Sequence, residues 1–155
     1  MEPKRYENAP PMVIAGLAGD FTAATRSQIP ALWMRFAPHI GKVKDEVGKA
    51  AYGVITDMMS GKNAMHYLSG VEVKAAKDLP PDFESVSLPA QRYAVFGHNG
   101  HVSKISETIG AIGRDWLPKS GFQHAETPDL IERYGEDFNT ETGMGGMEVW
   151  IPIKA

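Results

Sequence analysis

Two stretches of helical periodicity, set in the same register, constrain this chain more than any other feature. Ile29, Leu32, Trp33, Phe36 and Ala37 follow the i, i+3, i+4, i+7, i+8 pattern of one buried helical stripe. Val102, Ile105, Ile109, Ile112 and Trp116 form a second stripe. A shift of 80 positions lays Ile29 on Ile109, Leu32 on Ile112, Phe36 on Trp116 and Pro38 on Pro118, so each helix is stopped by a proline at the same point.

The order of elements around the stripes repeats as well. Residues 12–21 read as a strand, followed by a helix with Ser27 at its cap and Pro30 tolerated in its first turn. Residues 51–57 and 64–74 then read as a hairpin across a Ser60-Gly61-Lys62-Asn63 turn. In the second half, residues 91–97 form a strand ending in the turn His98-Asn99-Gly100, the second helix follows, and residues 130–134 and 147–153 are two more strands. The loop between those two contains Thr140, Gly143, Gly145 and Gly146. Polar, proline-rich residues 75–84 read as a linker.

The implied fold is α+β: duplicated β-α-β-β units, about 12–76 and 86–155, forming an antiparallel sheet with two main helices on one face and a ligand crevice between the halves.

At 155 residues one domain is expected. There are no cysteines, which excludes disulfides, thiolate metal sites and cysteine nucleophiles, and fits a cytoplasmic protein. No window approaches the roughly 18 continuous apolar residues of a membrane-spanning helix. The formal charge is −3 and the 16 Lys and Arg residues are scattered among acids, so direct nucleic-acid binding is not expected. The first 11 residues are polar and read as a lead-in to the first strand, too short for a DNA-reading module.

Several segments together resemble a known family. They are Tyr93-Ala-Val-Phe-Gly-His-Asn-Gly100 ahead of a helix, Trp116-Leu-Pro-Lys-Ser-Gly-Phe122 after it, Leu130-Ile-Glu-Arg-Tyr134 and Glu148-Val-Trp-Ile-Pro-Ile153, with Tyr52-Gly-Val54 and the Trp33 helix in the first half. The chain resembles the GyrI-like, AraC-type effector-binding domains over nearly its whole length. That resemblance implies a ligand-sensing domain of the kind found in multidrug transcription regulators, in which a glutamate on a late strand, ringed by aromatic side chains, binds lipophilic cations. Carried onto this sequence, the glutamate is Glu132 and its neighbours are Trp33, Tyr52, Tyr67, Tyr134 and Trp150. No cofactor or metal is implied. Because no DNA-reading element is evident, the expected output is standalone sensing or sequestration, with a separate regulator as a possible protein partner. Standalone members of the family are also linked to gyrase inhibition and to hydrolysis of cyclopropane-containing toxins.

The physical logic of such a site is independent of the family. A carboxylate among aromatic rings is costly to desolvate unless a positive partner compensates, and a cationic guest supplies one. Aromatic faces add cation–π attraction of about 0.5–2 kcal/mol per contact. Strand parity puts Leu130, Glu132 and Tyr134 on one face, and Glu148 and Trp150 on one face of the last strand. Whether Glu148 faces the pocket stays open.

Each of these residues has a plainer reading. Glu132 could pair with a surface base, Trp33 could be core, and Tyr52, Tyr67 and Trp150 could be ordinary sheet packing. His98 and His101 flank a turn and offer no complete metal ligand set. The Gly143–Gly146 run precedes a strand, not a helix, so it is a hairpin loop and not a phosphate cradle. Ser60-Gly61-Lys62 lacks the upstream glycine of a nucleotide-binding loop. Hydrolysis, with Glu132 or Glu148 activating water and Tyr52 or Tyr134 donating a proton, is the alternative to non-catalytic binding.

Overall fold

In the computed structural model, residues 1–58 and 63–155 are described. The expected Ser60-Gly61-Lys62 turn lies outside them. The strands are β1 (Arg5–Ala9), β2 (Met12–Thr22), β3 (Glu46–Thr56), β4 (Ala64–Val73), β5 (Glu84–Leu88), β6 (Gln91–His98), β7 (Gln123–His124), β8 (Leu130–Tyr134) and β9 (Met147–Lys154). Helix α1 covers Ile29–Phe36 and α2 covers Ile105–Ala111.

Every pairing is antiparallel, and the order across the sheet is β1-β6-β9-β8-β3-β4-β2-β5, with β7 added to β9. Outward from the central β8–β3 seam the two halves read alike: β3-β4-β2-β5 one way and β8-β9-β6-β1 the other. This is the expected α+β sheet with a helix supplied by each half.

Three strands escaped the sequence reading, the two-residue β7 and two that matter more to the shape of the sheet. The polar lead-in contains β1, and β5 follows the stretch read as a linker. Both are five-residue edge strands in which apolar side chains are few and interrupted by polar ones, so neither has an apolar run to announce it. Their pairing shapes the molecule. β1 is joined to β2 by only Pro10 and Pro11 but pairs with β6, while β5 is joined to β6 by only Pro89 and Ala90 but pairs with β2. Three Cα–Cα steps span at most about 11 Å. The two ends of the sheet are therefore held together, and the sheet must curl.

Curling gives two apolar layers. Inside the curl lie Ile14, Val54, Leu88, Tyr93, Val95, Ile131 and Trp150. On the other face, α1 and α2 cover Val71, Ala94, Phe96 and Val149 with Leu32, Phe36, Ile112 and Trp116. The apolar stripes of both helices point into this second layer, as their spacing predicts. Neither helix is regular to its ends. Ser27 falls within a 3₁₀ turn before α1 and makes no cap hydrogen bond, and the residue at the cap position is Gln28. Beyond α2 the chain widens into a π turn over Ile112–Trp116 before the 3₁₀ turn that holds Pro118.

One ion cluster ties β1 down. Glu148 on β9 is 6% exposed and accepts hydrogen bonds from Arg5 Nη1 at 2.8 Å, Arg5 Nη2 at 3.1 Å and Trp150 Nε1 at 3.0 Å, with Lys4 Nζ at 2.6 Å. Burial opposes its ionisation, but Arg5, Lys4 and Trp150 outweigh burial and hold its pKa down to about 2.

Two predictions follow from this packing. At the Gly16–Gly70 pair of β2 and β4 the backbones approach so closely that a Cβ on Gly16 would lie 1.9 Å from the Ser69 carbonyl oxygen. Gly16→Ala is expected to destabilise the domain by about 3 kcal/mol in chemical denaturation. Glu148 has a folded-state pKa below its unfolded value, so its contribution is complete above about pH 4.5 and is lost as pH falls towards 2. Arg5→Ala should cost about 2 kcal/mol at pH 7 and flatten the acid limb of the stability profile, read as denaturation midpoints between pH 7 and 3.

Candidate functional site

The sheet's central seam carries the site. In the β3–β8 ladder Ala51 pairs with Tyr134, Gly53 with Glu132 and Ile55 with Leu130, so Gly53–Glu132 is its midpoint. Directly paired residues point to the same face. Glu132 therefore shares the helix-covered face with Leu130 and Tyr134 of its own strand, Val149 of β9, and Tyr67, which pairs with Ile55.

Glu132 is 5% exposed. Its Oε1 accepts two hydrogen bonds, from the Tyr67 hydroxyl at 2.6 Å and the Tyr134 hydroxyl at 2.8 Å. Tyr67 accepts in turn from Trp33 Nε1 at 2.8 Å, which fixes its hydroxyl hydrogen on the carboxylate. The three rings wall the acid. Trp33 stands nearly perpendicular to Tyr134 at 5.4 Å between centroids and to Tyr67 at 6.4 Å, and Phe138 meets Tyr134 at 5.0 Å. In α1, which Pro30 opens, Leu32 and Phe36 are buried, and Trp33 beside them is half-buried at the helix edge, where it meets Tyr67 of β4 and Tyr134 of β8.

Burial pushes the pKa of Glu132 above the usual carboxylate range, against the pull of the Tyr67 and Tyr134 hydroxyls and of His98. Tyr67 and Tyr134 are pushed well above the ordinary phenol value, first by burial and then by the adjacent Glu132 charge. Among the described residues, no Lys, Arg or His forms an ion pair with Glu132. The contrast with Glu148, held by Arg5 and Lys4, is direct.

Of the six residues singled out in the sequence, Glu132, Trp33, Tyr67 and Tyr134 come together. Tyr52 and Trp150 do not join them. Tyr52 pairs with Arg133 and Trp150 with Ile131, which places both on the opposite face, inside the curl, where Trp150 stacks at an angle on Tyr93 and lies under Arg5. Glu148 faces that side too, paired with Arg133. One step of strand parity separates these aromatics from the acid.

Two residues of the site were not anticipated. Gly53 is the space in which the Tyr67–Glu132 bond forms: a Cβ there would lie 2.2 Å from the Tyr67 hydroxyl and 3.0 Å from Glu132 Oε1. A lone glycine inside a strand pattern is the signal that could have found it. His98, weighed above only as a metal ligand, is buried on the same face, its Nε2 donating to the His101 carbonyl at 2.8 Å and its Nδ1 at 2.7 Å from the Thr108 hydroxyl. Its role is to fasten β6 to the start of α2. Among the described residues no group of three His, Asp or Glu side chains is placed to hold a metal ion.

Comparison with known proteins matches this geometry to a family. The model described as the GyrI-like small molecule binding domain matches residues 3–154. The transcriptional regulator BrlR of Pseudomonas aeruginosa is 31% identical over 138 residues, covering 86% of this chain and 49% of BrlR. The chain thus spans about half the length of the curated relative it matches. SAV2435, solved bound to tetraphenylphosphonium, has a TM-score of 0.76 at 17% identity, covering 100% of this chain and 95% of that one. The EcmrR C-terminal domain has a TM-score of 0.63 at 14% identity, covering 97% of this chain and 96% of that one. At these identities the solved structures establish the fold, while the family model and BrlR establish descent: the chain belongs to the GyrI-like small-molecule-binding domain family.

Proposed function

We propose that this domain binds small lipophilic cations against Glu132, without chemistry on them, as a sensing or sequestering module. The observation that carries the reading is a buried carboxylate met by two phenol hydroxyls and no ion-pair partner among the described residues, with three aromatic rings around it. A positive guest supplies the missing counter-charge, and Trp33, Tyr67 and Tyr134 present faces suited to it. Because those rings touch one another, a guest must part Trp33 from Tyr67 and Tyr134 to reach the acid. The bound tetraphenylphosphonium of SAV2435, a lipophilic cation on the same fold, supports the same class of ligand here. Direct binding to nucleic acid forms no part of the proposal, and any effect on transcription would pass through a DNA-binding partner or segment.

Hydrolysis is the second reading. Glu132 and Tyr134, 2.8 Å apart, would serve as base and acid. Glu148 and Tyr52 do not reach that pair, which leaves the hydrolytic reading with half its candidate residues. Loss of intact ligand over hours, followed by chromatography, would favour it.

The test of binding is calorimetric titration with tetraphenylphosphonium and with a neutral aromatic of similar size. Micromolar binding of the cation alone, weakened tenfold or more (about 1.4 kcal/mol) by Glu132→Gln, is the expected result. Equal binding of the neutral analogue would remove Glu132 from the site. Since burial raises the pKa of Glu132, cation affinity should rise with pH through a window above that of an exposed carboxylate and fall as the acid takes up its proton. Glu132→Gln should abolish that pH dependence.

A further inference from the structure

The two oxygens of Glu132 are not equivalent. Both tyrosine hydroxyls converge on Oε1, and among the described residues no hydrogen bond reaches Oε2. Every fully buried side-chain nitrogen or oxygen among those residues has a partner, so Oε2, which has none, keeps some accessible surface in a side chain that is otherwise enclosed. The Trp33–Tyr67 bond locks the arrangement, because the Tyr67 hydroxyl already accepts from Trp33 and can turn its hydrogen only to the carboxylate. Gly53 leaves room for the same geometry, since a Cβ there would lie 2.2 Å from the Tyr67 hydroxyl and 3.0 Å from Oε1.

From this asymmetry we propose that the site selects, among lipophilic cations, those carrying an N–H donor: protonated amines, amidiniums or guanidiniums, ahead of fully substituted onium ions of the same shape. This deepens the cation reading and rests on it. A quaternary ion gives Oε2 charge but no hydrogen, and a guest large enough to displace water from Oε2 then strands a lone pair in a dry site. An ammonium N–H fills that position with a charge-assisted hydrogen bond, the stronger kind. The N–H cation also loses more hydration on binding, which offsets part of the gain. The surplus is set by the penalty for leaving a buried carboxylate oxygen unpaired, the same asymmetry that lets polar sites reject analogues lacking one donor.

The experiment compares a lipophilic tricyclic alkylamine with its N-methyl quaternary salt by calorimetry at pH 8, where the amine stays protonated. The expected result is that the protonated tertiary amine binds wild-type protein at least tenfold tighter than the quaternary salt. In Glu132→Gln the amide oxygen takes the two tyrosine donors and the amide NH2 occupies the place of Oε2, so the ratio should fall to about onefold to threefold. If the two ligands bind wild type equally and Glu132→Gln weakens both, the donor selection is overturned while the cation site stands. If neither binds, or Glu132→Gln changes nothing, the cation site falls and the selection with it. The wild-type ratio decides the matter even where the glutamine variant does not fold.

Discussion

A carboxylate buried at the midpoint of the sheet's central seam is the constraint around which the rest of this structure is arranged. Taking Glu132 out of water carries a large electrostatic cost, and the fold offsets only part of it, with two phenol hydroxyls on one oxygen. To bring those hydroxyls in, the strand partner opposite must be a glycine, Tyr67 must be oriented by Trp33, and α1 must be placed so that Trp33 arrives at its edge. Removing any one of these leaves the acid less compensated. What remains uncompensated is the observation on which the proposed cation site rests.

The same β8–β9 ladder carries a second buried acid with the opposite outcome. Glu148 lies one side of the sheet away, and there the fold provides Arg5 and Lys4 from the N-terminal segment. Its charge is spent on holding β1 to β9 across β6, and its pKa sits far below that of Glu132. Two glutamates of near-equal exposure thus divide into one paired with cationic side chains and one met only by phenol hydroxyls, and the division follows from which face of a strand each occupies.

The helices, the four strands of the seam and its neighbours, and the strand–helix–strand–strand order were legible because each buries an apolar stripe whose period survives in the sequence. Ile29, Leu32 and Phe36 of α1, and Ile112 and Trp116 beyond α2, all face the core that their spacing implies. β1 and β5 were not legible, since an edge strand with one wet face has little apolar signal and its partner lies in the other half of the chain. In the site, Glu132 and its aromatic neighbours were implied by the family resemblance, and parity within one strand supported only the placing of Tyr134 on the same face as Glu132. Tyr52 and Trp150 were grouped with them although register between strands, which decides the face, depends on bulges and turns that no local pattern reports. β3 itself shifts register between Glu46 and Ala51.

The seam has one more implication. Outward from its middle the two halves mirror one another in strand order, yet the paired residues at that middle are Gly53 and Glu132. Two identical half-length chains assembled about the same axis would place the same side chain in both positions. Glycine twice would leave a bare seam, and glutamate twice would set like charges side by side where a tyrosine hydroxyl now sits. A lone buried acid of this kind belongs to a heterogeneous pair, so joining both halves in one polypeptide is what permits each to diverge at the point where they meet.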